Sequence, residues 1–487
     1  PVADADVDEL PYLHLGDEEA AYLHSHREAL GGSLPARRRR SESLEVPDVS
    51  AFGAQLAGSG DRRISTTMAF VRVLNTLLRD KKIGKRVVPI VPDESRTFGM
   101  EGMFRQFGIY SRVGQLYTPE DEGQLMSYRE AQNGQMLQEG INELGAMSSW
   151  IAAATAYSTS DVPMIPFYIY YSMFGFQRVG DLAWAAGDLR ARGFLLGGTA
   201  GRTTLNGEGL QHEDGHSQLF SAVIPNCVSY DPTFAHEVAV IVADGLRRMY
   251  VEQEDVFYYL TLMNENYPHP AMPGLGTEDE ETVREGIVRG LYLLAEGSPA
   301  VKPGARRSRA KAGSSSTRAE KPRVQLMGSG TILREVMASA EMLESDWGVV
   351  ADVWSAPSFT ELRRDGMDTE RWNMLHPTSE PRQSWVEQQL AGRPPGPVVA
   401  ASDYMRAFPD QIRAWVVGRR FEVLGTDGFG RSDYRRALRD FFEVDRRYVT
   451  IAALSALARD GVVETSVVAD AIAKYEIDPE RPAPAHA

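Results

Sequence analysis

The chain has 487 residues, 43% of them apolar and 24% charged, and 52 basic against 67 acidic residues leave a net charge of −15. That length implies two or three domains, the composition is globular rather than fibrous or disordered, and the negative average field excludes nucleic acid as a general partner. Cys227 is the only cysteine, which excludes an internal disulfide framework. No apolar run reaches the ~18 residues of a membrane span. The acidic start has no basic-then-apolar leader, so the expectation is a cytoplasmic protein without a membrane partner.

The first sixty or so residues show no sustained period, and Arg37-Arg38-Arg39-Arg40 reads as a solvated loop. Met68, Val71, Leu74 and Leu77-Leu78 recur at helical spacing and predict an amphipathic helix over 65–80. Val87 to Val91 predicts a buried strand ending in Pro92-Asp93-Glu94. Two carboxylates then sit at a strand's C-terminal end, where open α/β sheets bind ligands. The alternation continues with a helix over 141–157, a strand over 164–171, a helix over 182–192 and a strand over 194–196 running into Gly197-Gly198. A helix over 234–250 and a strand over 256–263 follow. Helices of this length between strands imply a mostly parallel sheet covered on both faces.

Residues 297–323 then carry eight Lys or Arg against the single acid Glu320, with almost no large apolar side chains. They predict a flexible basic linker. Strands at 324–327, 349–354, 398–401 and 421–424 predict a second, smaller α/β domain, and the Pro- and Ala-rich end after Asp478 is expected to fray.

Three constellations carry chemistry. His212-Glu213-Asp214-Gly215-His216 matches H-E-x-x-H, which binds zinc when both histidines lie one helical turn apart. Gly207, Gly209 and Gly215 instead make this a glycine-rich loop, in which two histidines and two acids are poised around a closely approached ligand. Glu143 stands between Ile141 and Leu144 at the start of a helix of small and apolar residues. It reads either as a buried acid with a raised pKa, suited to sharing a proton with a ring nitrogen, or as an exposed first-turn glutamate favoured by the helix dipole. The stretch 167–176 holds six aromatics. Core packing accounts for most of them, and one at the strand's C-terminal end is placed to stack on a flat heterocycle.

Together, residues 93–102, 138–145, 167–176 and 204–217 resemble the homodimeric decarboxylating component of bacterial pyruvate dehydrogenase complexes, over essentially the whole chain apart from the basic linker. The resemblance implies a transketolase-like α/β fold: a thiamin-diphosphate-binding pyrimidine domain with a parallel sheet, plus a smaller α/β C-terminal domain. The expected division is a connecting segment at 1–60, the pyrimidine domain at 61–296, the linker at 297–323, the C-terminal domain at 324–478 and a tail at 479–487. It further implies decarboxylation of pyruvate on thiamin diphosphate and transfer of the acetyl group to a lipoyl-bearing dihydrolipoamide acetyltransferase, within a homodimer. By match to the family, Glu143 bonds the aminopyrimidine nitrogen and Phe174 stacks on that ring. Tyr171, His212 and Glu94 line the substrate pocket, and Asp93 supports Glu94.

One departure qualifies this. The family holds the cofactor's diphosphate through magnesium with a Gly-Asp-Gly motif and a later asparagine, and no such pair occurs in 1–487. No metal ligand is therefore expected among these residues. The chain reads as a C-terminal portion carrying the pyrimidine-side half of the site, inactive without an N-terminal diphosphate-binding half. Transketolase-type ketol transfer and a non-catalytic assembly module of the same fold are the alternative readings.

Overall fold

The computed structural model describes residues 15–32, 38–92, 95–297 and 321–487. Arg37, Asp93, Glu94 and residues 298–320 of the linker predicted at 297–323 lie outside these described residues. The first sheet is built from Val87–Val91 (β1), Leu137–Gln138 (β2), Ile165–Tyr171 (β3), Phe194–Gly198 (β4), Cys227–Tyr230 (β5) and Phe257–Thr261 (β6). Its order is β2-β1-β3-β4-β6-β5, and every neighbouring pair is parallel. These strands are almost wholly buried, as a sheet covered on both faces requires.

Helix Thr66–Leu78 (α1) is capped by Ser65, whose hydroxyl accepts the Met68 N–H at 3.1 Å. It packs on one side of the sheet with Ala235–Leu246, burying Phe70, Val73, Val238 and Ile241. The other side is covered by Glu143–Ala154 (α2) and Phe176–Asp188 (α3), over Trp150, Tyr168 and Tyr170. The helix predicted at 182–192 thus starts two turns earlier. The aromatics after the predicted strand end at 171 hide a helical period, yet Phe176 and Val179 bury a helical face and a kink at Val179 joins the two parts. Likewise the helix predicted at 141–157 breaks at Thr155. The four-residue strand Cys227–Tyr230 is too short to have a readable period.

The second sheet contains Tyr292–Ala295 (β7), Arg323–Gly328 (β8), Val350–Ser355 (β9), Val398–Ala401 (β10) and Phe421–Leu424 (β11), in the order β7-β9-β8-β10-β11. Only the β7–β9 pairing is antiparallel. β7 precedes the basic segment in the chain but belongs to this sheet. No described helix is long and apolar enough to cross a membrane.

Where the two sheets meet, buried carboxylates are satisfied by hydroxyls from both sides. Asp403, just after β10, accepts the Thr203 N–H (2.8 Å) and the hydroxyls of Thr203 (2.7 Å) and Thr204 (2.5 Å). Asp231, just after β5, accepts Thr261 Oγ1 (2.6 Å) and Ser329 Oγ (2.7 Å). Burial pushes Asp231 up to about 7 in spite of these bonds. Gly201 makes this approach possible, because its φ is +88° and a Cβ there would lie 2.3 Å from Asp403 Oδ2. Gly201→Ala is expected to lose about 1–3 kcal/mol from backbone strain, with displacement of Asp403 adding to it. Chemical denaturation of the two proteins side by side measures this.

Candidate active site

The site residues gather where β3 ends. Strand alternation sends Phe167 and Ile169 to one face of the sheet and Tyr168 and Tyr170 to the other, all in the core. Tyr171, the last strand residue, and Phe174, in the short turn that follows, are only half-buried. The His212 ring stacks on Tyr171 (centroids 5.4 Å apart, 11° between planes) and meets Phe174 edge-on at 4.9 Å. Phe98 touches Tyr171 from the turn after β1 at 5.3 Å. Asp93 and Glu94 lie outside the described residues.

Glu143 reaches this aromatic cluster through Arg178. Asn142 caps α2 by accepting the Gly145 N–H at 3.0 Å, which makes Glu143 the first helical residue, at the positive end of the helix dipole. Its side chain is 16% exposed, between the buried acid and the solvated one that the sequence allows. The Arg178 guanidinium donates to Glu143 Oε1 at 2.7 Å and lies 4.1 Å above the Phe174 ring. One planar nitrogen group therefore rests on Phe174 and bonds Glu143 at once. An aminopyrimidine ring makes the same two demands, a flat face and a nitrogen beside an acid, so these residues fit it.

The histidine loop is held by its own acids rather than presenting them. Asp214 is fully buried. It accepts the hydroxyls of Ser172 and Ser217 and the N–H groups of His216 and Ser217, both at 2.9 Å. This bolts the loop to the turn between Tyr171 and Phe174. Glu213 is also buried and turns toward the second domain. His216 contacts Gln177 at 2.8 Å, while His212 Nδ1 faces Glu208 Oε2 at 3.2 Å. The expectation of two histidines and two acids around one ligand is corrected accordingly: only His212 joins the cluster, because Asp214 is committed to holding the loop and Glu213 turns away to the second domain. Nor do the two histidines share a helix, since His212 ends one short turn and the next helix starts at Ser217.

Of the residues singled out in the sequence, Glu143, Tyr171, Phe174 and His212 form one contact chain. Arg178 and Glu208 were missed. Arg178 was legible as the residue four places after Phe174 only once a helix starting at Phe176 was recognised. Glu208 carried no signal beyond its spacing from His212.

Residues 44–270 match the pyruvate dehydrogenase E1 component middle domain, and 313–445 match the transketolase-like C-terminal domain. Over 487 residues the chain is 61% identical to the pyruvate dehydrogenase E1 component of Cupriavidus necator, covering 99% of this chain and 51% of that protein. It is 56% identical to the Escherichia coli K12 protein of the same name, again over 99% and 51%. The chain thus spans about half the length of the curated relatives it matches. Among solved structures, a transketolase from Leishmania mexicana aligns with a TM-score of 0.57 at 16% identity, covering 93% of this chain and 54% of that one. A chain described as "Split gene transketolase, inactive beta4 tetramer" aligns with a TM-score of 0.51 at 15% identity, over 81% and 98%. The architecture is transketolase-like.

Proposed function

We propose that this chain, whose residues 44–270 match the pyruvate dehydrogenase E1 component middle domain and 313–445 the transketolase-like C-terminal domain, forms the pyrimidine side of a thiamin-diphosphate site for pyruvate decarboxylation. The observation that carries this is the Arg178 contact: a flat nitrogen group lies on Phe174 and bonds Glu143 in the same place. In this reading the pyrimidine domain and the C-terminal domain follow the expected bounds 61–296 and 324–478, except that Tyr292–Ala295 and Arg323 pair into the second sheet and belong to the C-terminal domain. The diphosphate and its magnesium ion are held by a diphosphate-binding domain, and two subunits pair so that the halves meet. The acetyl group passes to the lipoyl arm of a dihydrolipoamide acetyltransferase in the cytoplasm.

Thiamin diphosphate supplies the electron sink that a 2-oxo acid needs to lose carbon dioxide. The chain's own residues do the rest. Phe174 supports the pyrimidine ring by stacking. Glu143, at a helix start and mostly withdrawn from water, holds a proton in common with a ring nitrogen. Tyr171 and His212 present a hydroxyl and an imidazole on the substrate side, where they orient the carboxylate and hold or release a proton. Glu208 fixes the His212 ring through Nδ1, leaving Nε2 for the substrate. By the family resemblance Glu94, with Asp93 in support, is assigned a role toward the substrate.

The test uses the protein together with its diphosphate-binding domain. Thiamin diphosphate with magnesium is expected to bind, read by protein fluorescence, and carbon dioxide is expected from pyruvate but not from sugar phosphates. Turnover of sugar phosphates would favour ketol transfer, and absence of thiamin diphosphate binding would favour an assembly module.

A further inference from the structure

We propose that Glu213 is a positioning residue through which the C-terminal domain's loop 428–433 sets the place of His212, making that domain a working part of the active site. The loop follows β11 and holds the histidine segment at several points. Gly207 N–H donates to the Asp433 carbonyl (3.3 Å), Ser432 Oγ to the Glu208 carbonyl, and Arg431 N–H to Glu213 Oε2 (2.6 Å). Gly430 passes so close that a Cβ there would lie 2.5 Å from the Leu210 carbonyl oxygen and 3.0 Å from Glu213 Oε2. These contacts bracket His212 on both sides in sequence. Arg202 ties the first domain to the start of the same loop, donating from Nη1 to the carbonyls of Thr426 (2.6 Å) and Gly428.

Glu213 is the member of this clamp that is not satisfied. It has no exposed surface, and its Oε1 has no hydrogen-bond partner among the described residues; neither does the buried Nε of Arg202. A structural carboxylate in a dry junction normally collects donors at both oxygens. Burial lifts the Glu213 carboxyl to about 7. The Arg431 N–H and Arg202 oppose this rise, and Asp403 and Asp433 reinforce it. The neutral form is therefore the one the closed clamp favours. This contribution is complete below the ordinary glutamate pKa and is lost as pH rises through about 7. Ionisation leaves a charge on Oε1 that loosens the loop holding His212.

The inference rests on the reading of His212 as a substrate-side residue, and its test separates the two. In the holoenzyme, Glu213→Ala is expected to lower kcat/KM for pyruvate about tenfold, while thiamin diphosphate affinity, set at Glu143 and Phe174, changes less than twofold. Glu213→Gln is expected to recover activity to within about threefold and to lose the decline of kcat/KM above pH 7, a change that mere packing would not produce. Gly430→Ala perturbs the same contact from the other domain and is expected to match Glu213→Ala without adding to it in the double variant. If the parent turns over pyruvate and both Glu213→Ala and Gly430→Ala equal it, this inference alone falls. It also falls if Glu213→Gln keeps the parental pH profile. A parent that does not bind thiamin diphosphate sinks the functional reading and this inference with it.

Discussion

On the proposed function, and with the diphosphate-binding domain present, Glu143→Ala is expected to cut pyruvate turnover by about 10²–10⁴-fold, the range that a single positioned proton-transfer group supplies. Folding should be spared. The side chain is partly exposed, and its partner Arg178 is 48% exposed. An ion pair so open to water contributes only about 0.2–1 kcal/mol. The cap of α2 is Asn142 rather than Glu143, so the helix start survives the change. Glu143→Gln sharpens the result. Glutamine keeps the length and the hydrogen-bonding capacity but cannot exchange a proton, so a catalytic Glu143 predicts that Gln is nearly as inactive as Ala. A purely structural role predicts rescue. Steady-state carbon dioxide release and thermal unfolding on the same samples decide, and activity within tenfold of the parent for Glu143→Gln would refute the assignment.

The contrast between Glu143 and Glu213 shows what the sequence made legible. Glu143 stood out because a carboxylate interrupts an apolar helix start, a local irregularity that any reader of the chain can see. Its partner Arg178 was hidden by a misplaced helix boundary, since six aromatics in ten residues conceal the change of period from strand to helix. The strands at 87–91, 398–401 and 421–424 fall where their β-branched and apolar runs predict. Tyr292–Ala295 does not, because its membership in the second sheet rests on pairing with Val353–Ser355, some sixty residues later. The clamp on His212 is the extreme case. Arg431 and Glu213 lie 218 residues apart, and neither a glycine-rich loop nor a lone acid announces such a partner. Contacts local to one element leave a pattern in sequence, whereas a site assembled from two domains leaves only its separate halves.

The same physics places the largest stability effect away from the aromatic cluster. Arg439, with 6% of its side chain exposed, donates to Glu265 and lies 3.5 Å from Glu335. Glu265 follows β6 of the first sheet, and Glu335 belongs to the helix Leu333–Trp347 of the second domain, so one guanidinium joins both. Burial pushes Glu265 up, but Arg439 and Arg334 together outweigh it and hold the carboxyl below its ordinary value. Burial likewise acts on Glu335 and is overcome by Arg446 and Arg439. Arg439→Ala strips each acid of one partner and leaves another, Arg334 at 2.6 Å and Arg446 at 2.8 Å. The expected loss is therefore about 3 kcal/mol, the low end for breaking a buried pair. For a domain of this size that is about 6–12 °C in Tm. The pH dependence carries the sign. Depressed carboxyl pKa values stabilise the fold above the ordinary glutamate value and cease to do so as pH falls through the folded-state values. The gap between parent and Arg439→Ala should be full at pH 7 and should close on acidification, as protonated Glu265 and Glu335 no longer need the guanidinium. A Tm difference below 2 °C at pH 7, or one that widens in acid, would show that the two domains are joined by other contacts.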